Sequence, residues 1–199
     1  MGYKMVAVQH EKTGKVRILE AARTLFDSHG FHQTSMAELA TAAQVSVGQI
    51  YRLFKGKEDI IEALVTDDAD QWCGEMAEIR VKLDSGALTI ERTFEELLLH
   101  TIDEKDEALS FDILAESFRN PAVSDTIGAM CERFRAFIRY FACAANPRLS
   151  GETLDAAEDM TLACLFGLGH RSLSRPILDA ASTARLTARM IVAALRAGH

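Results

Sequence analysis

Proline, paired cysteine and long apolar runs are all scarce in this chain. Three prolines in 199 residues leave few obligatory helix breaks. Cys73, Cys131, Cys143 and Cys164 are scattered with no CxxC spacing, which excludes a zinc-ribbon signature and favours small buried thiols in a reducing cytosol over disulfides. No apolar run is as long as a membrane span, and "MVAV" near the start is too short for a signal-peptide core. A soluble, cytoplasmic protein with no membrane partner is expected. Period-two alternation is absent as well, so there is no strand for a Gly-rich phosphate loop to follow. No recognisable motif assembles Ser-His-Asp chemistry, so no catalytic residue is assigned and no enzyme is expected. No cofactor is implied.

What is present is helical material. Hydrophobic residues make up 48% of the chain, enough for a sizeable core, and charged residues an ordinary 26%. The net charge of -7 argues against a nucleic-acid partner until its distribution is seen. Residues 1–60 carry eight Lys or Arg against six Asp or Glu, and the remainder fourteen against twenty-three. A mildly basic front end on an acidic body suits a phosphate-facing module carried by something that repels phosphate.

Apolar spacing predicts about nine helices and an all-α fold. Residues 1–11 read as a loose arm. A first helix from Lys12 turns Val16, Leu19, Ala22 and Phe26 inward and ends at His29-Gly30. Two short helices follow, Ser35 to about Ala43 and Ser46 to about Phe54, then a long one from Lys57. Further helices are expected over about Leu88–Asp103, Glu107–Arg119, from Pro121 to Ala145, Glu152–Leu173 and Asp179–Ala197. The boundaries place one domain at 1–56 and a second at 57–199.

The short pieces are informative. Ser35 precedes Glu38 by three residues and Ser46 precedes Gln49 by three, each in capping-box form. Two short helices joined by a tight turn, the second led by small and polar residues, make a helix-turn-helix pattern. Ser46, Val47, Gly48 and Gln49 then form the leading turn of a recognition helix. Gln49 suits a bidentate pair with adenine and Val47 a thymine methyl. Gly48 costs about 1 kcal/mol against Ala inside a helix, which a close approach to DNA would offset. Arg52, Lys55 and Lys57 supply phosphate charge and Tyr51 a hydroxyl. The amide end of the second helix, at Ser35, is a further anion site.

Taken together, "ILEAARTLFDSHGF", "TSMAELATAAQVS", "VGQIYRLF" and "GKEDI", between Ile18 and Leu64, resemble the DNA-binding region of the TetR family of bacterial transcriptional regulators. The resemblance implies a homodimer that binds a palindromic DNA operator, usually as a repressor, and is released by a small-molecule effector held in a C-terminal domain. It also implies phosphate contacts from Thr34, Ser35 and Lys57, with Val47, Gly48, Gln49, Tyr51 and Arg52 in or along the major groove. Two positions depart from the family pattern: Gln44 stands in the turn where Gly is common, and Leu53 where Tyr or His often precedes the Phe. A small-molecule-sensing helical protein without specific DNA binding is the alternative.

For the acidic body, periodicity gives an effector pocket among Trp72, Phe94, Leu98, His100, Phe111, Asp112, Phe118, Phe134 and Ile138, with Glu116 and Arg135 as further polar groups. Glu96, His100 and Asp103 have spacing that a metal could share, but a solvated ion pair is the expectation, and no metal site is assigned. The last two helices are apolar on more than one face, which calls for a partner. Leu154, Thr161, Leu165 and Gly169 on one, with Leu186, Met190 and Ala193 on the other, are the expected dimer interface. An effector wedged among the middle helices would tilt the helix from Lys57 and change the spacing of the two recognition helices.

Overall fold

The computed structural model describes residues 2–102 and 107–198, with side chains for 14–102 and 108–198. The described residues form nine α-helices and no strand: α1 (Gly2–His29), α2 (Met36–Ala42), α3 (Val47–Leu53), α4 (Lys57–Asp84), α5 (Ile90–Ile102), α6 (Glu107–Ser117), α7 (Pro121–Ala145), α8 (Gly151–Gly169) and α9 (Ala180–Ala197). The all-α expectation holds. One boundary is corrected: the segment expected as a loose arm is helical from Gly2, so α1 is a 28-residue helix. Another is shortened. The helix expected to reach Leu173 stops at Gly169, and a 3₁₀ turn follows over Arg171–Ser174.

Two compact units result, Met1–Asp68 with Asp106–Gly128, and Ala69–Lys105 with Ala129–His199. In the first, Phe31 is buried along with Ile18, Ala22 and Phe26 of α1, Leu39 and Ala40 of α2, Ile50 of α3 and Ile60, Ile61 and Leu64 of α4. Val16, expected inward, is instead exposed. Gly30 ends α1 at φ +85°, a conformation that favours glycine, and Phe31 meets Phe26 edge-on at 5.3 Å. Arg23 binds Asp68 on α4 (Nη1 to Oδ2, 3.2 Å), which fixes its head group.

The second unit has its own core. Trp72 and Met76 of α4, Phe94, Leu97 and Leu98 of α5, Ile138 and Phe141 of α7, Leu154 and Leu165 of α8, and Ala188, Ile191 and Leu195 of α9 form one apolar cluster. Between α4 and α5 the chain reverses through Gly86 at φ +74°, with Gly86 N–H donating to Leu83 and Ala87 N–H to Lys82, the paired bonds of a Schellman end. Glu158 of α8 is 3% exposed and is gripped by Arg135 and, at 2.9 Å, by Arg139 of α7. Glu158 and then Asp159 hold the Arg135 guanidinium above its ordinary value, and Asp155 and then Glu158 do so for Arg139.

Asn146, buried after α7, donates to the carbonyls of Leu195 and Gly198 at 2.9 Å each and accepts from Arg148 N–H at 3.0 Å. It therefore closes the end of α9. Asn146→Ala should lower unfolding free energy by about 2 kcal/mol, read from the urea midpoint at unchanged slope, because buried acceptors lose their donor.

Candidate nucleic-acid interface

Helices α2 and α3 are joined by a four-residue turn, 43–46, that the sequence closes tightly. Val45 N–H donates to Ala40 O and Gln44 N–H to Thr41 O, leaving Gln44 at φ +54°. A glutamine there is strained by an amount on the order of 1 kcal/mol. Arg17 of α1 reaches the Gln44 carbonyl at 3.4 Å and braces the turn from behind.

The first capping box is complete. Ser35 Oγ accepts from Glu38 N–H at 3.2 Å, and the Glu38 carboxylate accepts from Ser35 N–H at 2.7 Å. The anion site expected at this helix end is thereby already filled by the protein's own carboxylate. The second box is half made: Ser46 Oγ accepts from Gln49 N–H at 3.1 Å, but the Gln49 side chain does not return to Ser46.

Helix α3 buries one thin edge. Ile50 has no exposure, and Phe54 closes the helix from an extended conformation. On the opposite side Val47 and Tyr51 are 50% and 53% exposed, and Gly48 and Arg52 are exposed beside them. Positions 47, 48, 51 and 52 share one face of a 3.6-residue helix. A β-carbon added to Gly48 would meet nothing within 4 Å among the described residues, so packing against them does not require the glycine. Ser46 and Lys55 are also exposed, at the two ends of the same helix.

Two residues expected at phosphates have other work. Thr34 is 3% exposed and its hydroxyl donates to Gly30 O at 3.0 Å. Lys57 donates to Phe31 O at 2.6 Å and His32 O at 3.1 Å, with its ammonium 4.6 Å from the Phe31 ring centre. Both hold the loop between α1 and α2. That loop is also held from α6, where Asp112 accepts from Phe31 N–H at 2.8 Å and Glu116 lies 3.8 Å from His32 Nε2. Asp112 is 81 residues from Phe31, so no local sequence pattern could reveal this contact.

The expected effector residues divide between the two units. Trp72, Phe94, Leu98 and Ile138 are buried in the second unit's core, and Phe134 stacks on Trp72 with ring centres 3.9 Å apart. His100 pairs through Nε2 with Glu75 of α4, whose other oxygen accepts from Gln71 at 3.1 Å; His100 Nδ1 is buried without a hydrogen-bond partner. Phe111 and Asp112 lie on α6 in the first unit and Phe118 in the turn just after it, almost wholly exposed. Arg135 is engaged by Glu158 and Asp159. None of these lines the open groove of about 550 Å³ at the α8–α9 connection, which is bordered by Leu168, Arg171, Pro176, Leu178 and Thr183. Glu96 pairs with Lys82 at 3.7 Å, Asp103 lies outside the described residues, and among the described residues no three metal-ligating side chains converge.

Of the expected interface residues, Leu154, Thr161 and Leu165 turn into their own chain's core and are unavailable to a partner, because α5 packs on that side of α8. Leu186, Met190 and Ala193 are exposed along α9, and Gly169 is half-buried. The outward stripe of α8 is Ala156, Met160, Ala163 and Gly167, with Phe166 beside it. The sequence pattern locates that stripe once the inward face is known.

Residues 18–64 match the model of bacterial regulatory proteins of the tetR family. The HTH-type transcriptional regulator UidR of Escherichia coli K12 is 32% identical over 111 residues, 55% of each protein, so the chain spans about half the length of the curated relatives it matches. Among solved structures, GusR of Salmonella enterica superposes with a TM-score of 0.70 at 25% identity over 90% of this chain and 95% of that one. The transcriptional regulator FadR of Bacillus subtilis, solved with stearoyl-CoA, shares the fold with a TM-score of 0.68 at 17% identity, over 92% of this chain and 98% of that chain.

The completed box gives a pH signature. The Glu38 carboxyl is held below its ordinary value by the Ser35 backbone N–H first and the Ser35 hydroxyl second. A depressed carboxylate contributes stability that is present above its unfolded value, about 4.3, and is lost as pH falls through the folded one. Glu38→Gln should therefore flatten the acid limb of a urea-midpoint titration below about pH 4 and leave its neutral plateau pH-independent.

Proposed function

We propose that this chain, whose residues 18–64 match the tetR-family model and whose relatives include HTH-type transcriptional regulators, is a TetR-type protein: a cytoplasmic, homodimeric DNA-binding regulator that represses transcription from a palindromic operator and is released by a small-molecule effector. Residues 1–56 take the DNA-binding role, and 57–199 the effector and dimer roles. The observation that carries the reading is the open face of α3. Four consecutive-face positions, Val47, Gly48, Tyr51 and Arg52, are turned outward on a helix whose only fully buried residue is Ile50. A helix kept solely for packing has no use for a glycine over open space beside an exposed tyrosine and arginine. Val47 and Gln49 fit base edges, while Tyr51, Arg52 and Lys55 fit phosphates. Thr34 and Lys57 act one step back, by setting the loop that aims α2.

The dimer reading is supported by the outward stripes of α8 and α9. Gly167, like Gly48, has open space where a side chain would stand, and Met190 is 72% exposed. Small residues at 156, 163 and 167 allow a second copy to approach closely. Two-fold symmetry would then set the recognition helices ~34–36 Å apart, one DNA turn. For the effector, the aromatic core of the second unit with the Gln71–Glu75–His100 cluster at its edge supplies an apolar lining and an unpaired ring nitrogen.

Selection from a pool of random duplexes should return an inverted repeat; a pool that yields no enriched sequence would overturn the proposal. On the selected operator, Arg52→Ala should weaken binding and reduce the slope of log K against log salt by about 0.9, the signature of one lost phosphate contact. Sedimentation of Met190→Asp should give a folded monomer with an unchanged helical spectrum, where the parent chain gives a dimer.

A further inference from the structure

We propose that Gly14 of α1 is a positioning residue for base recognition: its missing β-carbon makes the niche in which the Gln49 carboxamide lies, and so fixes the direction from which Gln49 meets a base. The inference rests on the reading that α3 enters the major groove.

Gly14 is buried midway along α1, and its φ lies outside the left-handed range, so neither a turn nor a strained backbone explains a glycine there. In that setting Ala is the better helix former. Space is what remains. A β-carbon on Gly14 would stand 2.7 Å from Gln49 Nε2 and 3.8 Å from its Cδ, and among the described residues Gln49 supplies both atoms that it would approach within 4 Å. The first of those distances is too short to persist, so the flexible end of Gln49 would have to move.

The other constraint on this side chain is absent. Ser46 caps α3 through the Gln49 backbone N–H, but the carboxamide does not complete the box, in contrast with Glu38 at the preceding helix. Among the described residues no hydrogen bond engages it, so the donor and the acceptor that a bidentate pair with adenine needs are both retained. Contact with α1 therefore orients the group without using its hydrogen-bonding capacity. Gly48, one position earlier, has nothing above it. One glycine thus opens the helix to the groove, and the other seats its reading side chain from behind.

The experiment compares the full-length parent chain with Gly14→Ala, Gln49→Ala and the double variant on duplexes selected by the parent, with each base pair of the half-site substituted in turn. The parent should discriminate at one position by about ten-fold, as one good bidentate pair does. Gly14→Ala should lose most of that discrimination while retaining affinity for the substituted duplexes and a thermal midpoint no lower than the parent's. In the Gln49→Ala background, Gly14→Ala should change nothing. Preference unchanged in Gly14→Ala, or altered equally with and without Gln49, would overturn the inference and leave the groove reading standing. A parent preference that does not depend on Gln49 at any position would overturn the inference, and the absence of any preferred duplex would overturn both. Independently of DNA, the free parent should show a nuclear Overhauser contact between the Gln49 side-chain amide and Gly14 Hα, and its absence would also overturn the inference.

Discussion

A seven-residue helix does not persist in water on its own hydrogen bonds, because nucleation costs more than so few bonds return. Helix α3 therefore depends on one burial, that of Ile50, together with the Ser46 cap. Everything proposed for its outer face follows from how narrow that attachment is. A wider apolar stripe would hold the helix more firmly and would leave fewer positions to face a ligand. With Ile50 carrying the attachment, 47, 48, 51 and 52 are released together.

The cations of the first unit are divided by the same logic. Arg17 holds the turn at Gln44, Arg23 ties α1 to Asp68 on α4, and Lys57 clamps the carbonyls of the α1–α2 loop. These contacts fix geometry at the base of the module, while Arg52 and Lys55 stay on its open side. A basic residue near a nucleic-acid surface is thus no guide to contact by itself. Lys57 shows it, its head group being held by two carbonyls of the α1–α2 loop.

Much of this was legible in the sequence because it is local. Capping boxes, the Gly30 stop and the apolar period of each helix are written within a few residues, and the positive φ at Gln44 was foreshadowed by a glycine-favouring turn. What escaped was long-range or depended on which side of a helix is covered. Asp112 looked like a pocket acid because nothing near it in the chain points to Phe31. Leu154, Thr161 and Leu165 form a stripe that suits a partner equally well until α5 is seen to occupy it. Lys57 and Thr34 were placed by resemblance at phosphates, and only their hydrogen bonds reveal the loop they support. The helical state of residues 2–11 has no strong apolar period to announce it.

Glu158 has a mechanical meaning beyond its ion pairs. Arg135 and Arg139 stand one turn apart on α7, and a single desolvated carboxylate from α8 bridges them. Sliding one helix past the other by a turn, about 5.4 Å, would leave that buried carboxylate with one of its two guanidinium partners instead of both. The two helices are keyed like a ratchet whose pawl spans two teeth, so a rearrangement that keeps the clamp whole carries both as one rigid plank.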